Sequence, residues 1–218
     1  TDIYSKRCSA FEKIMKTKFT ILLFLTVLFS CKTDSNKQID EGKITENTYH
    51  SEEIGWTMEI PKDWNVTHKS DLDKRTKKGL DAISETAGIE IDASGLKQLL
   101  NFQKNQFNIF QSTSEPFEEE YEGEWEENND GLKELIYMTY LEKGIRTDST
   151  ETKTIKIDGL EFESSEFTIY SPKGEVILNQ IMFSRLINGL DFGVNINYNN
   201  ESDKKEMLDA WLNSKFKK

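Results

Sequence analysis

The sequence has 218 residues, which suits one domain of ordinary size preceded by a tail. Its 39 acidic and 28 basic residues give a formal net charge of −11, which repels polyanions and argues against nucleic-acid binding. The chain has only two Cys and two His residues, which argues against a Cys/His zinc cluster, a disulfide framework and a multi-histidine metal centre.

The first predicted element is an export signal over residues 15–30. Two lysines precede an apolar run of 11 residues, 19–29, which is shorter than the roughly 18 residues that a membrane-spanning helix needs. The end of the run, Leu28-Phe29-Ser30-Cys31, resembles the lipobox of bacterial lipoproteins, in which the Cys is acylated and becomes the first residue of the mature chain. We therefore expect Cys31 to carry a lipid. The alternative is an unmodified Cys after an ordinary signal peptide.

Two segments flank this signal. Residues 1–14 lie upstream of Met15, which would itself open a signal peptide, so we interpret them as an artefact of start-site choice. Residues 31–48 contain isolated Ile residues without periodicity, which is typical of a solvated tether. The folded domain is then expected over residues 49–218.

The domain is expected to open with a strand. Apolar residues alternate with polar ones before Pro61, which predicts a strand with one buried face formed by Ile54, Trp56, Met58 and Ile60. Shorter alternations, one at Ile89 and Ile91 and one at Phe107 and Ile109, predict two further strands on weaker patterns.

Apolar stripes at spacings of three and four predict three helices. The first covers residues 71–87, with Ser70 and Asp73 as a capping box. The second covers residues 129–143 and ends before a glycine. The third covers residues 202–216 and is expected to pack on a sheet.

Extended runs dominate the last third of the chain, over residues 150–157, 160–170, 175–187 and 190–198. The first two runs are separated by Asp-Gly and the last two by Asn-Gly, and both pairs favour type I′ hairpin turns. The 175–187 run is apolar on both faces and should be an internal strand, whereas the 190–198 run is polar on one face, which we expect to meet water. The result is an α+β domain with a mainly antiparallel sheet and a C-terminal β-meander, covered by helices.

The segment Ile54-Gly55-Trp56-Thr57-Met58-Glu59-Ile60-Pro61-Lys62-Asp63-Trp64 resembles the opening strand of PsbP-like and Mog1-like domains, in which an apolar strand runs into Pro-x-x-Trp. The order of predicted elements is also similar to that family. The resemblance implies an α/β/α sandwich and a role like that of exported lipoproteins, adaptors and chaperone-like binders without catalytic residues. It transfers no functional residue to this chain.

Motifs for catalysis and cofactors are weak. His50 and His68 lie in polar segments that favour solvated surface positions over a nucleophilic triad, and no pair of carboxylates stands out. Residues 126–131 resemble the first half of a calcium loop, but Tyr137 stands where such a loop needs Glu. No glycine-rich phosphate motif is present, so we expect no nucleotide and no cofactor.

The densest charge cluster is residues 115–130, with nine acids in sixteen residues. Such a segment should be a solvated loop or an exposed helix, because nine carboxylates cannot be buried together. Its aromatics either turn inward, or Tyr121 and Trp125 stay partly exposed and dock a basic protein partner.

Two function classes follow. The favoured one is a non-catalytic binding, adaptor or chaperone-like module, tethered by its lipid to a membrane of the bacterial cell envelope on the periplasmic or outer-membrane face. The alternative is a small exported hydrolase that uses carboxylates. A pocket with converging acidic or His side chains would favour the hydrolase, and an apolar groove would favour the binding module.

Overall fold

The computed structural model describes residues 34–217, which form three α-helices, one short 3-10 helix and thirteen strands. The helices are α1 (Lys69–Ala87), α2 (Glu124–Glu142) and α3 (Glu201–Leu212), and the 3-10 helix is Ser35–Lys37. The strands are β1 (Lys43–Thr45), β2 (Thr48–His50), β3 (Trp56–Glu59), β4 (Asn65–Val66), β5 (Lys97–Gln98), β6 (Phe102–Gln103), β7 (Ile109–Pro116), β8 (Thr147–Ser149), β9 (Lys153–Ile157), β10 (Leu160–Tyr170), β11 (Val176–Ile187), β12 (Leu190–Tyr198) and β13 (Lys215–Phe216).

The strands form two sheets. The small sheet has the order β1-β2-β3-β13, and the large sheet has the order β4-β6-β7-β12-β11-β10-β8, with β5 beside β7 and β9 beside β10. Every pairing among the described strands is antiparallel. Strands β9 to β12 pair in succession, so the predicted α+β class and C-terminal meander are confirmed.

Two tight turns set the register of the meander. The φ angles are 49° and 87° at Asp158 and Gly159, and 54° and 72° at Asn188 and Gly189. A type I′ turn needs positive φ at both central residues, which these dipeptides tolerate better than most others. The sequence prediction for both hairpins is therefore confirmed.

The hydrophobic core lies between one face of the large sheet and a layer made of α3 and the small sheet. The four apolar residues predicted for the opening strand are all buried: Ile54, Trp56, Met58 and Ile60. Aromatic rings surround Trp211 of α3, whose ring centroid lies 5.7 Å from that of Trp56 and 5.3 Å from that of Phe162. Burial of these large rings is the main source of stability.

The opposite face of the large sheet is polar and is covered by α1 and α2. Trp125 and Tyr140 of α2 donate hydrogen bonds to Asp191 and Gln180 on this face, at 2.9 Å and 3.3 Å. The expectation that this face meets water is therefore wrong. Helices α1 and α2 carry apolar stripes that need a sheet face, and α3 with the small sheet already occupies the other one.

The N-terminal ends of α1 and α2 differ from the predicted ones. Helix α1 begins at Lys69, so the predicted capping box does not form, and the backbone N–H of Lys69 donates instead to the side chain of Gln38 at 2.8 Å. Helix α2 begins at Glu124 rather than residue 129. Three glutamates in its first turn favour this earlier start, because their negative charges complement the helix dipole.

The predicted third helix ends early. Helix α3 stops at Leu212, and Lys215–Phe216 form β13, in which Phe216 pairs with Trp56 of β3. Phe216 is buried in the core. The prediction that the helix reaches residue 216 is wrong because an extended end places this ring in the core while pairing its backbone with the small sheet.

Two short predicted strands differ from the structure: one is absent, and the other begins later than predicted. Ile89 and Ile91 lie in the loop after α1, and Ile89 is 65 % exposed. Phe107 also lies in a loop, and the strand that follows begins only at Ile109.

Part of the predicted tether is folded. The side chain of Asn36 accepts from the backbone N–H of Ile44 at 2.7 Å and donates to its carbonyl at 2.9 Å, and Ile44 is buried in the core. The folded unit therefore begins at Ser35 rather than residue 49. The predicted upstream segment, signal peptide and Cys31 all lie outside the described residues. Within residues 34–217, no helix has the length and apolar character needed to span a bilayer.

Replacing Trp211 with Ala should lower the free energy of unfolding by about 3–5 kcal/mol, because it leaves a cavity among packed aromatic rings. Urea denaturation measures this change. Leu212→Ala is the matched control, because Leu212 is the next residue of α3 but 43 % exposed, and it should change stability by less than about 1 kcal/mol. Equal effects of the two substitutions would contradict the assigned core.

Candidate functional site

A cavity of about 380 Å³ lies between α1, α2 and the polar face of the large sheet. Small-molecule sites commonly enclose about 300–1,000 Å³, so this cavity has the size of a site for a small ligand. Its floor is formed by β7, β12 and β11, and its walls are formed by the two helices and the loop that follows α1.

Side chains from three neighbouring strands form the floor in register. On β12 these are Asp191, Gly193 and Asn195, which pair across to Glu115, Thr113 and Gln111 on β7. On the other side, Gly193 and Asn195 pair with Ser184 and Met182 of β11. Because Gly193 has no side chain, the centre of the floor is open, and a Cβ built there would meet only the Thr113 hydroxyl, at 3.5 Å.

Two carboxylates lie directly opposite each other at one end of the floor. Asp191 pairs with Glu115 across β12 and β7. The indole N–H of Trp125 donates to Oδ1 of Asp191 at 2.9 Å, and Trp125 is only 5 % exposed. Helix α2 therefore closes this end of the cavity and fixes the orientation of one of the two acids.

Both acids are less acidic than usual. Burial raises the pKa of Asp191, while the hydrogen bond from Trp125 partly offsets this by stabilising the charged form. Burial also raises the pKa of Glu115, and the negative charge of Asp191 adds to that effect. The pair is thus a place where negative charge is costly and a bound cation or a shared proton would be stabilised.

The walls are mostly apolar. They include Leu80 and Ile83 of α1, and Leu132 and Ile136 of α2. Asp92 lies at the exposed rim, in the loop after α1. Among the described residues that line the cavity, the charged ones are all acidic: Asp92, Glu115 and Asp191.

One buried acceptor on the floor is unused. The side-chain oxygen of Asn195 is inaccessible to solvent and has no hydrogen-bond partner within residues 34–217. A buried amide oxygen without a partner costs roughly 1–3 kcal/mol of stability.

The two aromatic residues predicted to dock a partner are separated by the structure. Tyr121 is 53 % exposed, and its hydroxyl donates to Glu127 at 3.0 Å. Trp125 is buried, so the inward alternative holds for this residue and partial exposure does not: its indole N–H donates to Asp191 on the sheet. Glu115, the first acid of the 115–130 cluster, is likewise half-buried at the cavity floor rather than solvated.

The weaker chemical candidates lie elsewhere. His50 is hydrogen-bonded to the Thr57 hydroxyl at 2.9 Å between β2 and β3, and His68 immediately precedes α1. Neither histidine lines the cavity. Residues 126–131 lie within α2, so they cannot form a calcium loop. No cluster of three or more metal-ligating side chains is found among residues 34–217.

Sequence reasoning missed the floor residues because Glu115 and Asp191 are 76 positions apart and meet only through strand pairing. A usable signal was nevertheless present. The sequence predicts two amphipathic helices, whose apolar faces must be buried against a sheet. The polar face of the strand that carries Asp191, Gly193 and Asn195 is available for this, so the helices would enclose these residues.

The fold is similar to that of a solved protein structure. The solution structure of cyanobacterial PsbP (CyanoP) from Synechocystis sp. PCC 6803 is similar over 87 % of this chain and 99 % of that chain, with a TM-score of 0.52 and 8 % sequence identity. No family model and no curated protein matches the sequence. At this identity, the likeness confirms the PsbP-like fold and carries no information about the function of the cavity.

Replacing Asp191 with Asn should stabilise the protein at pH 7. The pKa values of Asp191 and Glu115 are raised in the folded state. Between the ordinary carboxyl pKa and these raised values, the folded state therefore binds more protons than the unfolded state. The free energy of unfolding falls as pH rises through this range. An Asn at this position remains uncharged and still accepts from Trp125. Urea denaturation at about pH 7 and about pH 4 should show a larger gain at the higher pH.

Asp81→Asn is the control for this experiment, because Asp81 is an exposed carboxylate on α1. It should change stability little at either pH. A loss of stability on replacing Asp191 at pH 7, or a gain of equal size at both pH values, would contradict the electrostatic account of the pair.

Proposed function

We propose that the protein is a lipid-anchored, non-catalytic binding module of the bacterial cell envelope, and that it holds a small ligand in the cavity between α1, α2 and the large sheet. The observation that carries the proposal is the cavity itself, which combines apolar helix walls with a few polar groups on a rigid β floor. This combination is typical of small-molecule sites, in which apolar area supplies affinity and a few polar groups supply orientation.

The anchor part of the proposal rests on the sequence. Two lysines, a short apolar run and a small residue before Cys31 occur together in the order that a lipoprotein signal requires. Ser35, the first residue of the folded unit, is four positions after Cys31. Since an extended chain spans at most about 3.6 Å per residue, an acylated Cys31 would be joined to Ser35 by a tether of at most about 14 Å.

A basic protein partner remains part of this proposal. Tyr121 is exposed within a run of glutamates, where its ring offers contact area and the acids would steer a basic surface toward it. The buried Trp125 has no place in that surface. An adaptor role would then combine a ligand in the cavity with a protein at the nearby start of α2.

The second candidate function, a small exported hydrolase, is supported by the Glu115 and Asp191 pair. Acid and base catalysis by two carboxylates usually needs environments that push their pKa values apart, so that one is protonated while the other is charged. Here burial raises both pKa values, and no histidine lines the cavity in the described part of the chain. The geometry therefore supports binding better than catalysis.

Cys31→Ala should abolish acylation, because the thiol that would carry the lipid is removed. Mass spectrometry should detect an acylated N-terminal peptide in the wild type and none in the variant. The matched control is Thr33→Ala, two positions after the predicted lipid site, which should leave acylation unchanged. A wild-type chain purified from membranes without an acyl group on Cys31 would refute the anchor.

Filling the cavity should abolish ligand binding. A neutral amphiphile, phenylbutanol, is titrated into the full chain held in phosphatidylcholine nanodiscs, and the indole N–H resonance of Trp125 is followed by NMR, with Trp125→Phe identifying the signal. We expect a saturable shift in the wild type. Gly193→Leu should remove it, because the new side chain projects from the centre of the floor without a close backbone contact.

Gly131→Leu is the matched control, since a Cβ at Gly131 on α2 meets nothing within 4 Å. It should bind like the wild type. A shift that persists in Gly193→Leu, or no shift in the wild type, would mean that the cavity is not a binding site for this class of ligand.

A further inference from the structure

The cavity floor shows an imbalance between hydrogen-bond acceptors and cations. Glu115 and Asp191 face each other, and the residues lining the cavity in the described chain include no Lys, Arg or His to neutralise them. Some other described acids are paired with cations: Asp203 and Glu206, for example, share Lys104 at 2.8 Å and 2.9 Å. The acid pair in the cavity has no such partner among the lining residues.

Two of the donors near the pair already have acceptors. Trp125 donates its single N–H to Oδ1 of Asp191. The side-chain amide of Asn129, which also lines the cavity, donates to Glu163, away from the pair. The remaining carboxylate oxygens of Asp191 and Glu115 have no donor among the described side chains, so they can accept from a ligand.

From this arrangement we propose that the natural ligand is a small cationic amphiphile, whose ammonium group binds between Glu115 and Asp191 and whose apolar body lies against Leu80, Ile83, Leu132 and Ile136. The inference rests on the proposed function, because it takes the cavity as the ligand site and adds the chemical class. An ammonium group offers three donors and a positive charge, which matches two facing carboxylates.

The cost of charge on Glu115 and Asp191 favours a cationic ligand. The pKa values of both acids are raised by burial, so each bears its negative charge at a cost when the cavity is empty. A bound cation would remove part of that cost. An anionic ligand would add a third negative charge and should be rejected.

Three probes with the same phenylbutyl body test the inference: phenylbutylamine, phenylbutanol and phenylbutanoate. Each is titrated into the full chain in phosphatidylcholine nanodiscs while the Trp125 indole resonance is followed. The amine should bind at least about tenfold more tightly than the alcohol, since charge-assisted hydrogen bonds are roughly twice as strong as neutral ones. The carboxylate should bind more weakly than the alcohol.

The double variant Glu115→Gln, Asp191→Asn should bring the affinities for amine and alcohol to within about twofold of each other. Its matched control is Glu118→Gln, Glu122→Gln, which removes the same charge from two exposed residues of the same segment and should preserve the tenfold preference. If the control still binds the amine more tightly than the alcohol, the preference comes from Glu115 and Asp191 and not from the overall negative charge of the protein.

The possible results distinguish this inference from the function on which it rests. Equal affinity of amine and alcohol in the wild type, with both lost in Gly193→Leu, would overturn the cationic ligand and leave the binding cavity standing. A preference lost equally in the double variant and its control would overturn the placement of the amine at the pair. Failure of all three probes to shift the resonance would overturn both proposals.

Discussion

The alternation of side chains along β12 is the constraint on which the rest of the structure depends. One face of this strand contributes Phe192, Val194 and Ile196 to the aromatic core, so register forces Asp191, Gly193 and Asn195 onto the other face. Helices α1 and α2 cover that face because their own apolar stripes need burial. Close packing of apolar helix faces on a polar sheet face would bury polar groups without hydrogen-bond partners, which is costly. The helices therefore do not pack tightly on the sheet, and the cavity is the space left between them.

The two faces of the large sheet are therefore packed by different interactions. The core side is filled by interlocking rings around Trp211, where a lost side chain leaves a costly void. The helix side is held by a few polar contacts, such as Trp125 with Asp191 and Tyr140 with Gln180. This division lets α1 and α2 shape a site without weakening the packing that defines the fold.

Local patterns in the sequence predicted much of the fold but only one feature of the site. The hairpins at Asp158 and Asn188, the buried opening strand and the α+β class follow from turn chemistry and periodicity. The end of α3 at Leu212 does not, because tertiary pairing of Phe216 with β3 overrides a helical stripe. The two acids lie on strands that are far apart in the sequence but neighbours in the sheet, so their proximity depends on sheet register. Of the site, the sequence pattern indicates only the polar face of β12, and the pattern alone predicts that this face meets water.

The acid pair is difficult to explain by stability alone. An apolar or amide residue at position 191 would avoid the cost of a buried charge, and Asn could keep the hydrogen bond from Trp125. Positions that break a local rule of stability without a structural gain are typical of sites shaped by function. The same strand places a glycine two residues from Asp191, and a glycine within a strand also costs stability. A single ligand that fills the space above Gly193 and donates to the acid pair would offset both costs at once.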